Sequence, residues 1–154
     1  MRDYDACVTE IRKLLEPEDG REERIRAVTD MLWERLKGEG VAWLGFYAIN
    51  GAKNAMALSS CRPKPACSPI GLHGVCGKAW RTGRPQVVED VHALGEEHIV
   101  CDPANRSEVV VPCFEKAGPC WGVLDLDSTE LSSFTAADAQ GLRKVLLAAG
   151  LTFS

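Results

Sequence analysis

The sequence predicts an α+β layer fold, in which helices pack against an antiparallel β-sheet. Segments with the apolar spacing of helices lie at both ends of the chain, and the segments between them have the apolar runs of strands. Short, turn-like connections join these strands, which favours antiparallel pairing. The chain has 154 residues, the size of one domain with its own core, so we expect a single domain over 1–154.

The first two predicted elements are amphipathic helices. Residues 5–15 and 22–37 each place their apolar side chains on one face at helical spacing. Pro17 and Gly20 interrupt the pattern between the two segments, and Gly38 ends the second one.

A pair of strands follows these helices. Residues 41–49 are apolar on both faces, which predicts a central strand that is covered on both sides. Asn50 and Gly51 form a strong turn signal, so we expect residues 54–60 to return beside the first strand. The next segment, 61–73, is rich in proline, cysteine and glycine and predicts a loop with a short strand.

The middle of the chain predicts short elements and one long connection. Residues 74–82 can form a short helix that Gly83 closes, and a short strand follows at 86–88. Residues 89–106 are polar and lack a periodic pattern. Because so long a connection is unusual in a compact domain, we expect it to be functional.

Three further elements complete the predicted fold: strands over 108–116 and 120–127, and a helix over 136–149. Pro112 indicates that the first of these strands lies at an edge or contains a bulge. Thr135 followed by Asp138 resembles a capping box at the start of the helix.

Composition excludes several classes of function. The net charge is −4 and no basic stripe is present, so nucleic acid is not expected as a partner. No segment approaches the roughly 20 apolar residues of a membrane span, so we expect no membrane partner. The charged N-terminal segment does not resemble a signal peptide, which predicts a cytoplasmic protein.

The chain contains seven cysteines. An odd number without a secretory signal argues against a structural disulfide framework. No Cys-x-x-Cys pair is present, so we expect no zinc or other metal. The thiols are therefore either inert and buried or redox-active.

Three cysteines are candidates for redox chemistry. Cys76 falls in the first turn of a predicted helix, where the helix dipole lowers a thiol pKa. Cys101 lies in the long connection, three residues after His98, and is a candidate nucleophile. Cys67 lies in the proline-rich segment, where it could move toward another thiol. Packing is the expected role of Cys7, Cys113 and Cys120, and that of Cys61 stays open.

Two carboxylates are predicted to lie side by side. Asp125 and Asp127 alternate along one strand and share a face with Trp121 and Val123. Such a pair either lines a site, with a bound amino group or a shared proton between the carboxylates, or forms a solvated strand end. Both interpretations remain open from the residues alone.

Two aromatic residues share one face of the first predicted strand. Trp43 and Tyr47 flank Gly45 on this face. They could wall a small pocket or belong to the ordinary core, and the pattern does not separate these alternatives.

Several motifs together resemble the free methionine-R-sulfoxide reductase family. The chain shares with it the segments WLGFY, GVCG, EDVH with HI-x-CD, SE-V-x-P, GVLD-x-DS and FTAADAQGL. This resemblance implies a single GAF-like domain over 1–154, with a six-stranded antiparallel sheet and helices packed on both sides. Leu72 and His73 depart from the family pattern, and Cys61, Cys113 and Cys120 are additions to it.

The resemblance also implies roles for individual residues. Cys101 corresponds to the nucleophile, Cys67 to the resolving thiol and Cys76 to an accessory thiol. The family's site carboxylates correspond to Glu108, Asp125 and Asp127, and its aromatic wall to Trp43 and Tyr47. Because extra thiols are present, Cys76 or Cys61 remains an alternative resolving residue.

The implied activity is the reduction of free methionine-R-sulfoxide to methionine. It proceeds through a cysteine sulfenic acid and an intramolecular disulfide, which a thioredoxin-type reductant recycles, without a metal, flavin or nucleotide cofactor. The terminal helices leave a homodimer possible. The alternative function is a non-catalytic GAF-type domain that senses a small ligand or an oxidant.

Overall fold

The computed structural model describes residues 2–154. Within these residues the α-helices are α1 (Tyr4–Leu14), α2 (Arg21–Leu36), α3 (Val75–Thr82) and α4 (Ala136–Ala148). The strands of the same part of the chain are β1 (Trp43–Ile49), β2 (Met56–Arg62), β3 (Gln86–Val88), β4 (Ser107–Phe114) and β5 (Cys120–Ser128). Each lies within a few residues of a predicted element. No helix in this range is long and apolar enough to cross a bilayer.

The strands form one sheet in the order β2-β1-β5-β4-β3, and every neighbouring pair is antiparallel. The α+β class and the antiparallel pairing are confirmed, but the expected six strands are wrong, because the sheet of the described residues has five. The segment 61–73 supplies no sixth strand. It contributes one bridge, in which Met56 and Ile70 exchange backbone hydrogen bonds of 2.9 Å. Three prolines in the segment lack the N–H groups that a longer ladder requires.

Three helices cover one face of the sheet. Helices α1, α2 and α4 contact one another or the strands on this side, and the largest core cluster lies between them and the sheet. The strand side chains of this core are fully buried and include Leu44, Phe46, Val109, Leu124 and Leu126. At the start of α4 the predicted capping box of Thr135 and Asp138 is present.

The opposite face is covered differently. Helix α3 packs on β4 and β5, and the segments 61–73 and 89–106 cover the remainder. Helices therefore lie on both sides of the sheet, as expected. Because α3 is only eight residues long, loops rather than a second helix complete this layer, and a cavity remains beneath them.

A β-bulge changes the direction of one predicted side chain. The register between β4 and β5 shifts between Cys113 and Phe114, which leaves Trp121 as an extra residue. Trp121 therefore turns to the three-helix side, stacks on Phe46 at 6.4 Å between ring centroids and donates a 2.9 Å hydrogen bond to the Leu151 carbonyl. Its predicted position on the face of the two aspartates is wrong, because strict alternation fails at a bulge.

Pro112 is accommodated beside this bulge. Strand β3 pairs with residues 108–110 of β4 and ends before the proline. The missing N–H of Pro112 therefore faces an open edge, as its position in the sequence predicted.

Candidate active site

A cavity of about 360 Å³ lies under the loops on the α3 side of the sheet. Seven of the predicted site residues line it, and they come from β1, α3, β4, β5 and the long connection: Trp43, Tyr47, Cys76, Cys101, Glu108, Asp125 and Asp127. The eighth, Cys67, is joined covalently to this lining. The fold thus brings together every residue that the sequence singled out for the site.

Cys67 and Cys101 form a disulfide, with 5.6 Å between their Cα atoms. The bond links the segments 61–73 and 89–106 over the cavity, and both cysteines are exposed. The pairing joins positions 34 residues apart that belong to separate loops.

The aromatic pair anchors the first of these loops. The Trp43 Nε1–H donates to the Lys64 carbonyl at 2.8 Å, and the Tyr47 hydroxyl donates to the Cys67 carbonyl at 2.8 Å. Both rings are almost fully buried, yet both line the cavity, so they serve as core and as pocket wall together.

Gly45 makes room for this wall. A Cβ atom at this position would lie 2.5 Å from the Trp43 ring and 2.9 Å from the Cys61 Cβ. The ring therefore rests directly over the backbone of β1, which only a glycine between the two aromatic residues permits.

Strand register gathers the three carboxylates. Glu108 of β4 pairs directly with Asp127 of β5, and Asp125 pairs with Gly45 of β1. The side chains share the cavity face, and Glu108 and Asp125 are only 6% and 5% exposed. The solvated strand end that the sequence left open is therefore wrong for Asp125, whereas Asp127 retains partial exposure.

Cys76 lies beside this carboxylate group. Its position in the first turn of α3 directs the thiol onto β5, where Sγ is 3.6 Å from Asp125 Oδ2. The thiol is buried, in contrast to Cys67 and Cys101.

Comparison with known proteins places this site in a family. The GAF domain profile matches residues 18–153. The chain is 41% identical over 118 residues to the free methionine-R-sulfoxide reductase of Escherichia coli. This alignment covers 75% of this chain and 67% of the relative. The chain belongs to the free methionine-R-sulfoxide reductase family of GAF domains.

Solved structures agree with this assignment. The free methionine-R-sulfoxide reductase of Neisseria meningitidis, in complex with its substrate, superposes on the chain with a TM-score of 0.85 at 33% identity, covering 95% of this chain and 85% of the other. The structure of the Staphylococcus aureus protein named fRMsr, in complex with its substrate, superposes with a TM-score of 0.85 at 30% identity. This superposition covers 96% of this chain and 94% of the other.

Burial determines the protonation of the three carboxyls of this GAF domain. It raises the pKa of Glu108, Asp125 and Asp127 well above the ordinary carboxyl values, and the repulsion between neighbouring carboxylates raises each pKa further. Among the described residues, Asp125 Oδ1 is buried without a hydrogen-bond partner. The raised pKa values favour the protonated forms of this group, and one oxygen of a cavity-lining residue lacks a hydrogen-bond partner.

The lowered pKa predicted for Cys76 is wrong, because its surroundings raise the pKa. The helix dipole predicted a lowered thiol pKa, but burial raises the pKa well above the usual cysteine value, and the nearby carboxylates of Asp125 and Glu108 raise it further. A single short helix contributes less than the loss of water and the adjacent negative charge.

One group of side chains could hold a metal ion. Cys76, Glu108 and Asp125 each offer a ligand atom, and these atoms lie within 4.8 Å of one another. Thiolate and carboxylate ligands suit zinc, but each group here would first have to lose a proton. The absence of a metal cofactor stays a prediction.

The four remaining thiols lie outside the cavity lining. Cys7 and Cys113 are fully buried in the three-helix core, as predicted, and Cys120 is half-buried at the start of β5. Cys61 packs against the aromatic wall and donates from Sγ to the Lys64 carbonyl at 3.3 Å.

Sequence reasoning missed some polar residues of the lining, including Lys64, Asn105 and Thr129. Lys64 Nζ lies 3.6 Å from Asp102 Oδ2, next to Cys101. Its place three residues before Cys67 is the signal that could have identified it. With 18 lysines and arginines in the chain, that signal does not distinguish it from a solvated charge.

Proposed function

We propose that this chain reduces free methionine-R-sulfoxide to methionine, with Cys101 as the nucleophile and Cys67 as the resolving thiol. The observation that carries the proposal is the Cys67–Cys101 disulfide over a cavity that contains three carboxyls with raised pKa values. Membership in the reductase family supports the same reaction.

The first step transfers the sulfoxide oxygen to Cys101. The Cys101 thiolate attacks the sulfoxide sulfur while a protonated carboxyl among Glu108, Asp125 and Asp127 donates to the oxygen. The protonated oxygen then passes from the substrate sulfur to the Cys101 sulfur, as the substrate S–O bond and the transient bond between the two sulfur atoms break. Methionine leaves, and Cys101 becomes a sulfenic acid. A carboxyl with a raised pKa is suited to this donation, and burial raises the pKa of all three groups.

The second step restores the nucleophile. The Cys67 thiol condenses with the Cys101 sulfenic acid, which forms the disulfide and releases water. A dithiol of the thioredoxin type then reduces the disulfide by exchange. Exposure of both cysteines supports access by such a partner in the cytoplasm.

The cavity suits a small zwitterion. A volume of about 360 Å³ is at the lower end of ligand pockets. A carboxylate of the group binds the substrate ammonium, and the S-methyl group packs against Trp43 and Tyr47. The segments 61–73 and 89–106 contribute to the cavity lining, and we expect them to exclude a peptide chain on either side of the substrate. The proposed substrate is therefore the free amino acid.

A homodimer through the terminal helices is also part of the proposal. Leu14 of α1 and Leu147 of α4 are exposed to 52% and 39%, respectively. Light scattering at several concentrations measures whether two copies associate.

A coupled assay tests the proposed activity. Thioredoxin, thioredoxin reductase and NADPH are supplied with free methionine-R-sulfoxide, and NADPH oxidation is followed. We expect turnover with the R epimer and none with the S epimer or with an N-acetylated, C-amidated sulfoxide. Equal activity on the blocked substrate would contradict the closed cavity, and no NADPH oxidation with any sulfoxide would contradict the function.

The Cys67→Ser variant tests the resolving role. It should release about one methionine per chain and then stop, because a hydroxyl cannot form the disulfide. Continued thioredoxin-driven turnover would move the resolving role to Cys76 or Cys61.

A further inference from the structure

A free amino acid carries a carboxylate as well as an ammonium group, and the cavity must accommodate both charges. Four lining residues are acidic: Asp102, Glu108, Asp125 and Asp127. Among the lining residues that the structure describes, Lys64 is the only lysine or arginine. His98 also lines the cavity, but burial lowers its pKa from the ordinary value, which keeps the ring neutral near pH 7.

The backbone of Lys64 is held in place, whereas its side chain is exposed to solvent. The Lys64 carbonyl accepts hydrogen bonds from Trp43 Nε1 at 2.8 Å and from Cys61 Sγ at 3.3 Å. The side chain is 68% exposed and reaches over the cavity to the second loop. A flexible stem on a fixed backbone allows the ammonium to follow a ligand.

The ion pair that Lys64 makes without substrate is weak. Its Nζ lies 3.6 Å from Asp102 Oδ2, longer than the usual distance of a charge-assisted hydrogen bond. Exposed ion pairs of this kind contribute little to stability. The charge of Asp102 also helps to raise the pKa of Asp127, so the pair lies close to the acidic group in the cavity.

We propose that Lys64 binds the α-carboxylate of the substrate and exchanges Asp102 for it when the substrate enters. The inference rests on the proposed function and adds a specificity-determining residue to it. The ammonium of the amino acid meets the carboxylates, and its carboxylate, on the same carbon, meets Lys64. A sulfoxide within a peptide has no such carboxylate and loses this contact.

A purely structural role for the Lys64–Asp102 pair makes a different prediction. If the pair only ties the two loops together, removal of either partner has the same effect on the reaction. If Asp102 instead competes with the substrate, the two substitutions have opposite effects on substrate affinity. The Asp102→Asn variant is therefore the matched control for Lys64→Met, which keeps the length of the side chain and removes its charge.

The experiment compares free methionine-R-sulfoxide with its α-amide, which keeps the ammonium and lacks the carboxylate. We expect Lys64→Met to raise KM for the free amino acid about tenfold or more, the loss of one hydrogen bond to a charged group, with kcat within about twofold. KM for the amide should be unchanged by the substitution. Lys64→Arg should restore most of the affinity, and Asp102→Asn should lower KM.

Three results would overturn the inference: an unchanged KM in Lys64→Met, an equal rise for the amide, or a matching rise in Asp102→Asn. Calorimetry of methionine binding to the Cys101→Ser protein provides a readout without turnover, in which Lys64→Met should weaken binding by a similar factor. If the wild-type protein reduces neither sulfoxide, the proposed function is contradicted. If the wild-type protein is active and Lys64→Met has the same KM, only the role of Lys64 is contradicted.

Discussion

Cys76 and Cys101 line the same cavity in different surroundings. Cys76 is buried beside Asp125, and its raised pKa keeps the thiol protonated. Cys101 is exposed in the long connection and is already joined to Cys67. Since the thiolate is the reactive form of cysteine, these surroundings favour Cys101 for attack and leave Cys76 an accessory role.

Substitution of the nucleophile has a direct consequence. Cys101→Ser should abolish methionine formation even in a single turnover, because a hydroxyl is a far weaker nucleophile near neutral pH. Cys120→Ser is the matched control, since this thiol lies outside the cavity and donates to the Gly122 carbonyl, a contact that serine can also make. Methionine release by rapid quench above a tenth of the wild-type amount in Cys101→Ser would remove the assignment.

We expect one of the three carboxyls to donate the proton and another to bind the substrate ammonium group. Glu108→Gln, Asp125→Asn and Asp127→Asn should each lower kcat/KM about a hundredfold, which corresponds to one positioned proton donor or charge contact. Steady-state kinetics should show that the anchor variant mainly raises KM and that the donor variant mainly lowers kcat. Near-wild-type kinetics in all three proteins would contradict a role for this group.

Only part of this residue-scale detail could be predicted from the sequence. Alternation along one strand placed Asp125 and Asp127 on one face, because that relation is local. Their burial depends on loops far away in the chain, so the pKa values could not be predicted. The pairing of Cys67 with Cys101 came from family resemblance, and Lys64 was missed because its contacts cross two loops.

Carboxylates that face each other across strands β4 and β5 repel one another. Glu108 and Asp127 are direct cross-strand partners, an arrangement that is destabilising when both are charged. Protonation removes this repulsion, which, besides burial, is one reason why the pKa of Asp127 is raised. Protonation of the cluster therefore favours the folded sheet.

This coupling predicts a pH dependence of stability. Because the folded carboxyls have raised pKa values, the native protein binds more protons than the unfolded chain above about pH 4. Their contribution to stability is complete below that pH and is lost as pH rises through the folded pKa.

Urea unfolding of wild type and Asp125→Asn between pH 5 and 8 measures this effect. The variant should gain stability relative to wild type as pH rises. His98 has a lowered pKa and an opposite contribution, which is common to both proteins and cancels in the difference. A difference that is independent of pH would contradict the raised pKa of Asp125.

Helix α3 depends on one close approach. A Cβ atom at Gly77 would lie 2.1 Å from the Leu72 carbonyl oxygen, so alanine must displace the backbone that leads into the helix. Gly77→Ala should cost about 1–3 kcal/mol of unfolding free energy, the range of overpacked sites, and should weaken activity by shifting Cys76. Gly38→Ala is the control, because nothing lies within 4 Å of its Cβ. Equal stability of the two variants by urea unfolding would remove this packing argument.

Elements with a clear period were predictable, and irregular ones were not. Helices α1, α2 and α4 follow from apolar spacing, and β1 from its continuous apolar run. The expected sixth strand failed where prolines interrupt the backbone ladder, and Trp121 turned because a bulge follows from pairing rather than from local sequence.

The two faces of the sheet have different roles: one carries the main core and the other carries the candidate site. One face buries a continuous apolar core under α1, α2 and α4, which supplies a rigid support. The other face is closed by α3 and two loops, and its strands carry the carboxyls and the aromatic wall. The disulfide joins the two loops that cover this side, so the redox-active cysteines and the cavity belong to the same side.

A single-turnover experiment tests the central claim most directly. Fully reduced protein is mixed with excess free methionine-R-sulfoxide in the absence of any other reductant, and methionine, free thiols and linked peptides are measured. We expect about one methionine per chain, the loss of two thiols and a linked peptide that contains Cys67 and Cys101, with no reaction of the S epimer. Absence of methionine, or thiol loss without methionine, would contradict the proposed reduction.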